Sequence, residues 1–140
     1  MEKTYNIVEL FSGIGSQAAA LKNLGVKINT VGTSEWDVHA IVAYDMIHGG
    51  TDIPADIARM SKDELLEKMS HYTFSNSGKA PLEYEALRTY SVESLRYIYT
   101  SIKRNHNFVD ISALEGKEMP DGIDTVSYTH LRAHETDSYL

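Results

Sequence analysis

Two glycines one residue apart, set between an apolar run and a run of helix formers, constrain this chain more than any other feature. Tyr5-Asn6-Ile7-Val8-Glu9-Leu10-Phe11 is short, β-branched and aromatic, and it stops at Ser12-Gly13, the pattern of a buried first strand. "QAAALKNL" follows and is rich in helix formers, with Ser16 as the expected N-cap and Gly25 just past the expected helix end. Positions 26–35 alternate apolar and polar residues around Val26, Ile28 and a less regular Val31, which predicts a second strand. The unit is therefore βαβ, and the fold class is α/β. From 36 to 48, Val38, Ile41, Val42 and Met46 keep helical spacing, and Gly49-Gly50 close the segment.

Between Thr51 and Asn107 the chain is charged and carries helix signals without a clear strand, so 51–104 is expected to be a helical insertion. Ser61-Lys62-Asp63-Glu64 is a capping box opening a short helix through about Met69. "SNSGKAP", 75–81, reads as a loop. Val92, Leu95, Ile98, Tyr99 and Ile102 form an amphipathic stripe that ends at Lys103-Arg104, and Tyr90 and Tyr97 flank it as core packing rather than as an aromatic platform. "NFVDIS", 107–112, is expected as a loop and strand edge returning to the sheet, and "GIDTVSY", from Gly122, as the start of a further strand.

The 140 residues make one ordinary domain, with enough apolar content to bury a core. No apolar run approaches the roughly 18 residues that a membrane span needs. The opening "MEKTYNIVEL" lacks a basic region followed by an apolar core, so the expected location is cytoplasmic, with no membrane partner. The formal net charge of -7 argues against an electropositive surface for nucleic acid on this piece alone. The chain has no cysteine, which excludes disulfides, thiolate metal sites and every thiol nucleophile.

Gly13-Ile14-Gly15-Ser16-Gln17-Ala18 matches G-x-G-x-x-A between the predicted strand and helix, where glycines let backbone approach a ligand above the helix N-terminus. Glu35, ending the second predicted strand, is placed to accept hydrogen bonds from both hydroxyls of a ribose. The pair suggests an adenosine cofactor. A tight strand-to-helix turn with a solvated glutamate would give the same letters, and spacing leaves nicotinamide dinucleotide and S-adenosylmethionine equally open.

Residue identity goes further. "ELFSGIGS" together with "SEWD" resembles the first two motifs of the DNA (cytosine-5) methyltransferases, and "NFVDIS" resembles the family's short Asp-Ile motif. The resemblance implies a partial Rossmann-like S-adenosylmethionine-dependent methyltransferase domain over 1–124. It implies that Phe11, Ser12, Gly13, Ile14 and Gly15 supply backbone and methionine-side contacts, and that Glu35 binds the ribose. It further implies that Trp36 packs on the adenine, that Asp110 takes the adenine amino group, and that the backbone of Ile111 lies beside the ring. An indole next to a ribose acid is an apolar wall suited to a purine. The motifs cover 5–48 and 105–124 and leave 51–104 unexplained.

The same resemblance leads one to expect a Pro-Cys-Gln loop after "DGID", whose cysteine attacks carbon 6 of a flipped-out cytosine. The chain reads "TVSYTHLRAHETDSYL" instead. "VSYTHLRAHET" closely resembles the conceptual translation of a sequencing-library adapter, so 125–140 is expected to be a non-native tail. His130 and His134 stand at i, i+4 there, but no third ligand accompanies them, and no metal site is expected. The expectation is thus the amino-terminal part of a DNA cytosine-5 methyltransferase without its catalytic residue and inactive alone. Its implied partners are DNA, through regions missing here, and a cognate restriction endonuclease. An RNA methyltransferase on the same scaffold, a nicotinamide-dependent oxidoreductase fragment and a noncatalytic module built on the helical segment are the alternatives, with Trp36 and Asp110 speaking against the oxidoreductase. In the last alternative, acidic Asp63, Glu64 and Glu67 are more simply a solvated face.

Overall fold

A computed structural model describes residues 2–128. Those residues form an α/β unit on a three-stranded parallel sheet in the order β2-β1-β3. The strands are β1 (Tyr5–Leu10), β2 (Ile28–Ser34) and β3 (Thr125–Tyr128), and α1 (Ser16–Asn23) joins the first two. Parallel neighbours require such a crossover. The predicted tail beginning at 125 overlaps β3, and its remainder, with His130 and His134, lies outside the described residues.

β1 and β2 are in register from Tyr5↔Ile28 to Leu10↔Ser34, with a shift between Ile7 and Val8. Ile7 pairs with Thr30 and Val8 with Gly32, so Val31 is the extra residue of a bulge, which accounts for its irregular place in the alternation. β2 starts at Ile28 rather than Val26, because the Val26 amide donates to the Leu21 carbonyl at 3.0 Å and stays in the helix-exit turn. Gly25, at φ +79°, makes that turn.

After β2, α2 (Val38–His48) begins later than position 36, since Asp37 is its N-cap and accepts from the amides of His39 and Ala40. Trp36 therefore sits in the connection, outside the helix. The buried face of α2 is Val38, Ile41, Tyr44 and Asp45, whereas Met46, expected on that face, is half exposed.

Four helices follow: α3 (Ala55–Ala58), α4 (Lys62–Met69), α5 (Tyr84–Leu87) and α6 (Val92–Arg104). The capping box at Ser61 and Glu64 is formed as the spacing predicts. α6 buries Leu95, Ile98, Tyr99 and Ile102, packs on α2, α3 and α4, and keeps Lys103 and Arg104 in its last turn beside the exposed carbonyls. The resulting cluster joins Val38 and Ile41 of α2 to Leu65, Leu66, Met69, Phe74 and the α6 stripe, with Tyr90 packed on its margin. Segment 51–104 thus supplies most of the largest apolar cluster among the described residues. Beyond it, Asn107 bridges to Thr33 on the outer side of β2, so 107–112 returns along the sheet edge.

Candidate functional site

The strand-to-helix turn is built from backbone that side chains resist. Phe11, Gly13 and Gly15 have φ of 54°, 54° and 80°, and the Gly15 amide closes the turn on the Ser12 carbonyl at 2.8 Å. The two glycines are required for different reasons. A Cβ on Gly15 would collide with the His48 ring and stand 2.7 Å from Tyr44 Cε2, so this glycine lets the loop press on α2. A Cβ on Gly13 would meet nothing within 4 Å, so here the backbone faces open space where a ligand can approach.

Ser16 is the first residue of α1, not its cap. Gly15 occupies the N-cap position and offers no side chain, and the buried Ala18 amide of the first turn donates instead to the buried Glu9 carboxylate at 3.2 Å. Tyr44 donates its hydroxyl to the other Glu9 oxygen. Burial, and then the Glu9 hydrogen bond, raise the Tyr44 phenol well above its ordinary 10.0. His48 Nε2 lies 3.0 Å from the Ile14 carbonyl, completing the contact of α2 with the loop. Sequence reasoning missed these supports because the Tyr44–Glu9 and His48–Ile14 contacts join residues about thirty-five positions apart, and the nearer Glu9–Ala18 bond depends on how β1 and α1 pack.

Glu35 meets the glycine loop directly. Its Oε1 accepts from the Gly13 amide at 2.8 Å and its Oε2 from the Asp37 amide at 3.0 Å. A carboxylate offers about four lone-pair positions, so each oxygen retains acceptor capacity for a further hydroxyl. Trp36 is half-buried against the large apolar cluster, and its carbonyl accepts from the Ser75 amide at 2.8 Å. Asp110 caps the 3-10 turn Ile111–Ala113, with Oδ1 accepting from both the Ser112 amide, at 2.9 Å, and its hydroxyl, at 2.7 Å. Oδ2 takes no hydrogen bond among the described residues. Ile111 is half-buried beside it.

These residues form two adjoining parts. Phe11 and Ser12, with Glu9, Leu10, Ser16, Gln17 and Ser127, line a shallow recess at the carboxyl ends of β1 and β3. Glu35, Trp36, Asp110 and Ile111 stand along the end of β2 and its outer edge, outside that recess, and Ile14 is exposed at the loop tip. Asn107, which the sequence does not single out, links the latter group: its side chain bonds the backbone of both Glu35 and Val109. No cluster of three or more metal-ligating side chains occurs among the described residues, and no helix there is long and apolar enough to cross a membrane.

The donor set suits an adenosine-bearing group: an open glycine backbone, an acid at the strand end, an indole next to it and a carboxylate oxygen beyond. A model of the C-5 cytosine-specific DNA methylase family matches residues 5–76, just over half of the chain. The orphan methyltransferase M.SssI of Spiroplasma monobiae is 29% identical over 131 residues, which cover 91% of this chain and 34% of that protein. The type II methyltransferase M2.ScrFI of Lactococcus lactis subsp. cremoris is 26% identical over 120 residues, 82% of this chain and 32% of its own length. The orphan methyltransferase M.SPBetaI of Bacillus phage SPbeta is 41% identical over 61 residues, 42% of this chain and 14% of the phage protein. The chain spans about a third or less of the length of these relatives.

Proposed function

Because the chain belongs to the C-5 cytosine-specific DNA methylase family, we propose that it is the cofactor-binding amino-terminal part of a DNA (cytosine-5) methyltransferase. The observation that carries this reading is the contact between the Glu35 carboxylate and the Gly13 amide, beside backbone open to a ligand. The partial Rossmann-like reading rests on the parallel β1-α1-β2 unit, with the glycine turn and Glu35 at the carboxyl ends of its strands. α/β sheets hold ligands outside the carboxyl ends of such parallel strands. Segment 51–104 is read as a helical insertion that has become part of the core, and 125–140 as non-native sequence.

S-adenosylmethionine, when bound, supplies an electrophilic methyl group on a sulfonium. In this reading Glu35 accepts the two ribose hydroxyls and Trp36 walls the adenine. Asp110, through Oδ2, accepts from the adenine amino group, next to the Ile111 backbone, while Phe11, Ser12, Gly13, Ile14 and Gly15 shape the methionine side. The substrate of the whole enzyme is a cytosine flipped out of duplex DNA. Carbon 5 of cytosine is a poor nucleophile until a thiolate adds to carbon 6, and these 140 residues contain no cysteine to supply one. The chain alone therefore binds cofactor without methylating DNA.

Calorimetry with S-adenosylmethionine and, separately, a nicotinamide dinucleotide tests the reading. Binding of the first alone, weakened about tenfold or more in Glu35→Ala, is expected from losing hydrogen bonds to a charged acceptor. Unchanged affinity in that variant would remove Glu35 from the ribose. A tritiated methyl-transfer assay on cytosine-containing DNA is expected to show no turnover.

A further inference from the structure

The Asn107 side chain occupies a position that neither the glycine loop nor the acid motif explains. β2 ends at Ser34, so the backbone of Glu35 has no strand partner on its outer side. The buried Asn107 amide takes that place: Oδ1 accepts from the Glu35 amide at 3.0 Å, and Nδ2 donates to the Glu35 carbonyl at 3.0 Å. A side-chain amide presents donor and acceptor side by side, as a peptide group does, and so extends the edge pairing by one residue. The same Oδ1 also accepts from the Val109 amide at 2.9 Å. Val109 is buried and β-branched at φ +68°, a conformation that such residues avoid and that needs surrounding structure to hold it. Ser34 Oγ donates to the Val109 carbonyl at 3.2 Å and fixes its other end.

We propose that Asn107 is the positioning residue for adenosine recognition, fixing the ribose acid Glu35 and the adenine-reading Asp110 relative to each other. This rests on the cofactor reading above. One amide holds the backbone that carries Glu35, whose carboxylate in turn holds Gly13, and holds the strained residue immediately before Asp110. Asn107 touches no ligand itself. Its effect is on how strongly Glu35 distinguishes a ribose that has both hydroxyls from one that lacks the 2′-hydroxyl.

The test compares S-adenosylhomocysteine with its 2′-deoxy analogue by calorimetry on the 140-residue chain, on Asn107→Ala and on Ile98→Val, a mild core truncation on α6. The parent and Ile98→Val are expected to lose about tenfold or more in affinity for the deoxy analogue. In Asn107→Ala that penalty is expected to shrink to about threefold or less. A merely structural role would weaken both ligands together and keep the ratio, and that result overturns the proposal. Amide hydrogen exchange on the parent chain supplies a measurement that no variant's folding can spoil. Glu35 and Val109 are expected to be protected, and exchange at the rates of exposed amides would also overturn it. A parent chain that binds neither ligand removes the cofactor reading and this inference with it, whereas parent binding with an unchanged ratio in Asn107→Ala removes the inference alone.

Discussion

At the residue scale, Gly13 and Gly15 share a left-handed φ but differ in what lies beyond their missing side chains. Alanine at either position strains the backbone by about 1–2 kcal/mol. At Gly15 the new methyl also meets Tyr44 and His48, while at Gly13 it enters open space. Gly15→Ala is therefore expected to lower the unfolding midpoint clearly more than Gly13→Ala, by at least about another 1 kcal/mol of overpacking. Gly13→Ala is expected to do the greater damage to S-adenosylmethionine affinity in whatever fraction stays folded. Thermal unfolding and calorimetry on the same two samples check the crossover, and parallel losses in both measurements would mean that the glycines do the same job. The glycines were legible in the sequence because the backbone demands of a strand-to-helix turn fall on neighbouring residues, and Glu35 because it directly follows the next strand. Glu9, Tyr44 and Asn107 were not, since a buried carboxylate, phenol or amide reveals its partner only when chain segments 35 or 72 residues apart meet.

At the scale of elements, local periodicity was enough to place β1, α1, β2, α4 and α6, and it failed where a tertiary contact decides. Ser16 has the side chain of a cap, yet Glu9 reaches the Ala18 amide from the neighbouring strand. Met46 fits the helical stripe of α2, yet Tyr44 and Asp45 are buried, because Tyr44 faces Glu9 and Asp45 accepts from Asn105 at 2.8 Å. The helical segment looked separable because its exposed faces are charged. Its buried faces instead make the cluster against α2, with Leu65, Met69 and Leu95 fully enclosed. Leu95→Ala is expected to cost about 2–5 kcal/mol, a loss that urea unfolding would read as a lower midpoint at an unchanged slope. A neutral result would show that α6 packs loosely and that 51–104 is an appendage after all.

At the scale of the whole molecule, stability should fall at both extremes of pH for identifiable reasons. Asp124 accepts from the Asn6 amide at 2.8 Å and pairs with Lys3, joining the entry of β3 to the start of β1. The Asn6 hydrogen bond, then Lys3, lowers its pKa below 3.8, so this contribution is present above that pH and is lost as pH falls through the folded value. Tyr44 works in the opposite direction. Its phenol is raised above 10.0 by burial and by Glu9, so the folded state keeps a proton that the unfolded chain releases. The associated stability is complete below pH 10 and declines as pH rises from 10 toward the folded value. Since the same hydroxyl supports Glu9, and Glu9 supports the first turn of α1, ionising Tyr44 should loosen the glycine loop before the α6 cluster opens. Among the nine tyrosines, Tyr72 and Tyr90 are also raised by burial, so ultraviolet titration is expected to show a late-ionising fraction whose last part belongs to Tyr44, and Tyr44→Phe should remove that last part. If Tyr44→Phe leaves the alkaline titration unchanged, the phenol is not held between α2 and the strand as described, and the backing of the glycine loop must come from His48 alone.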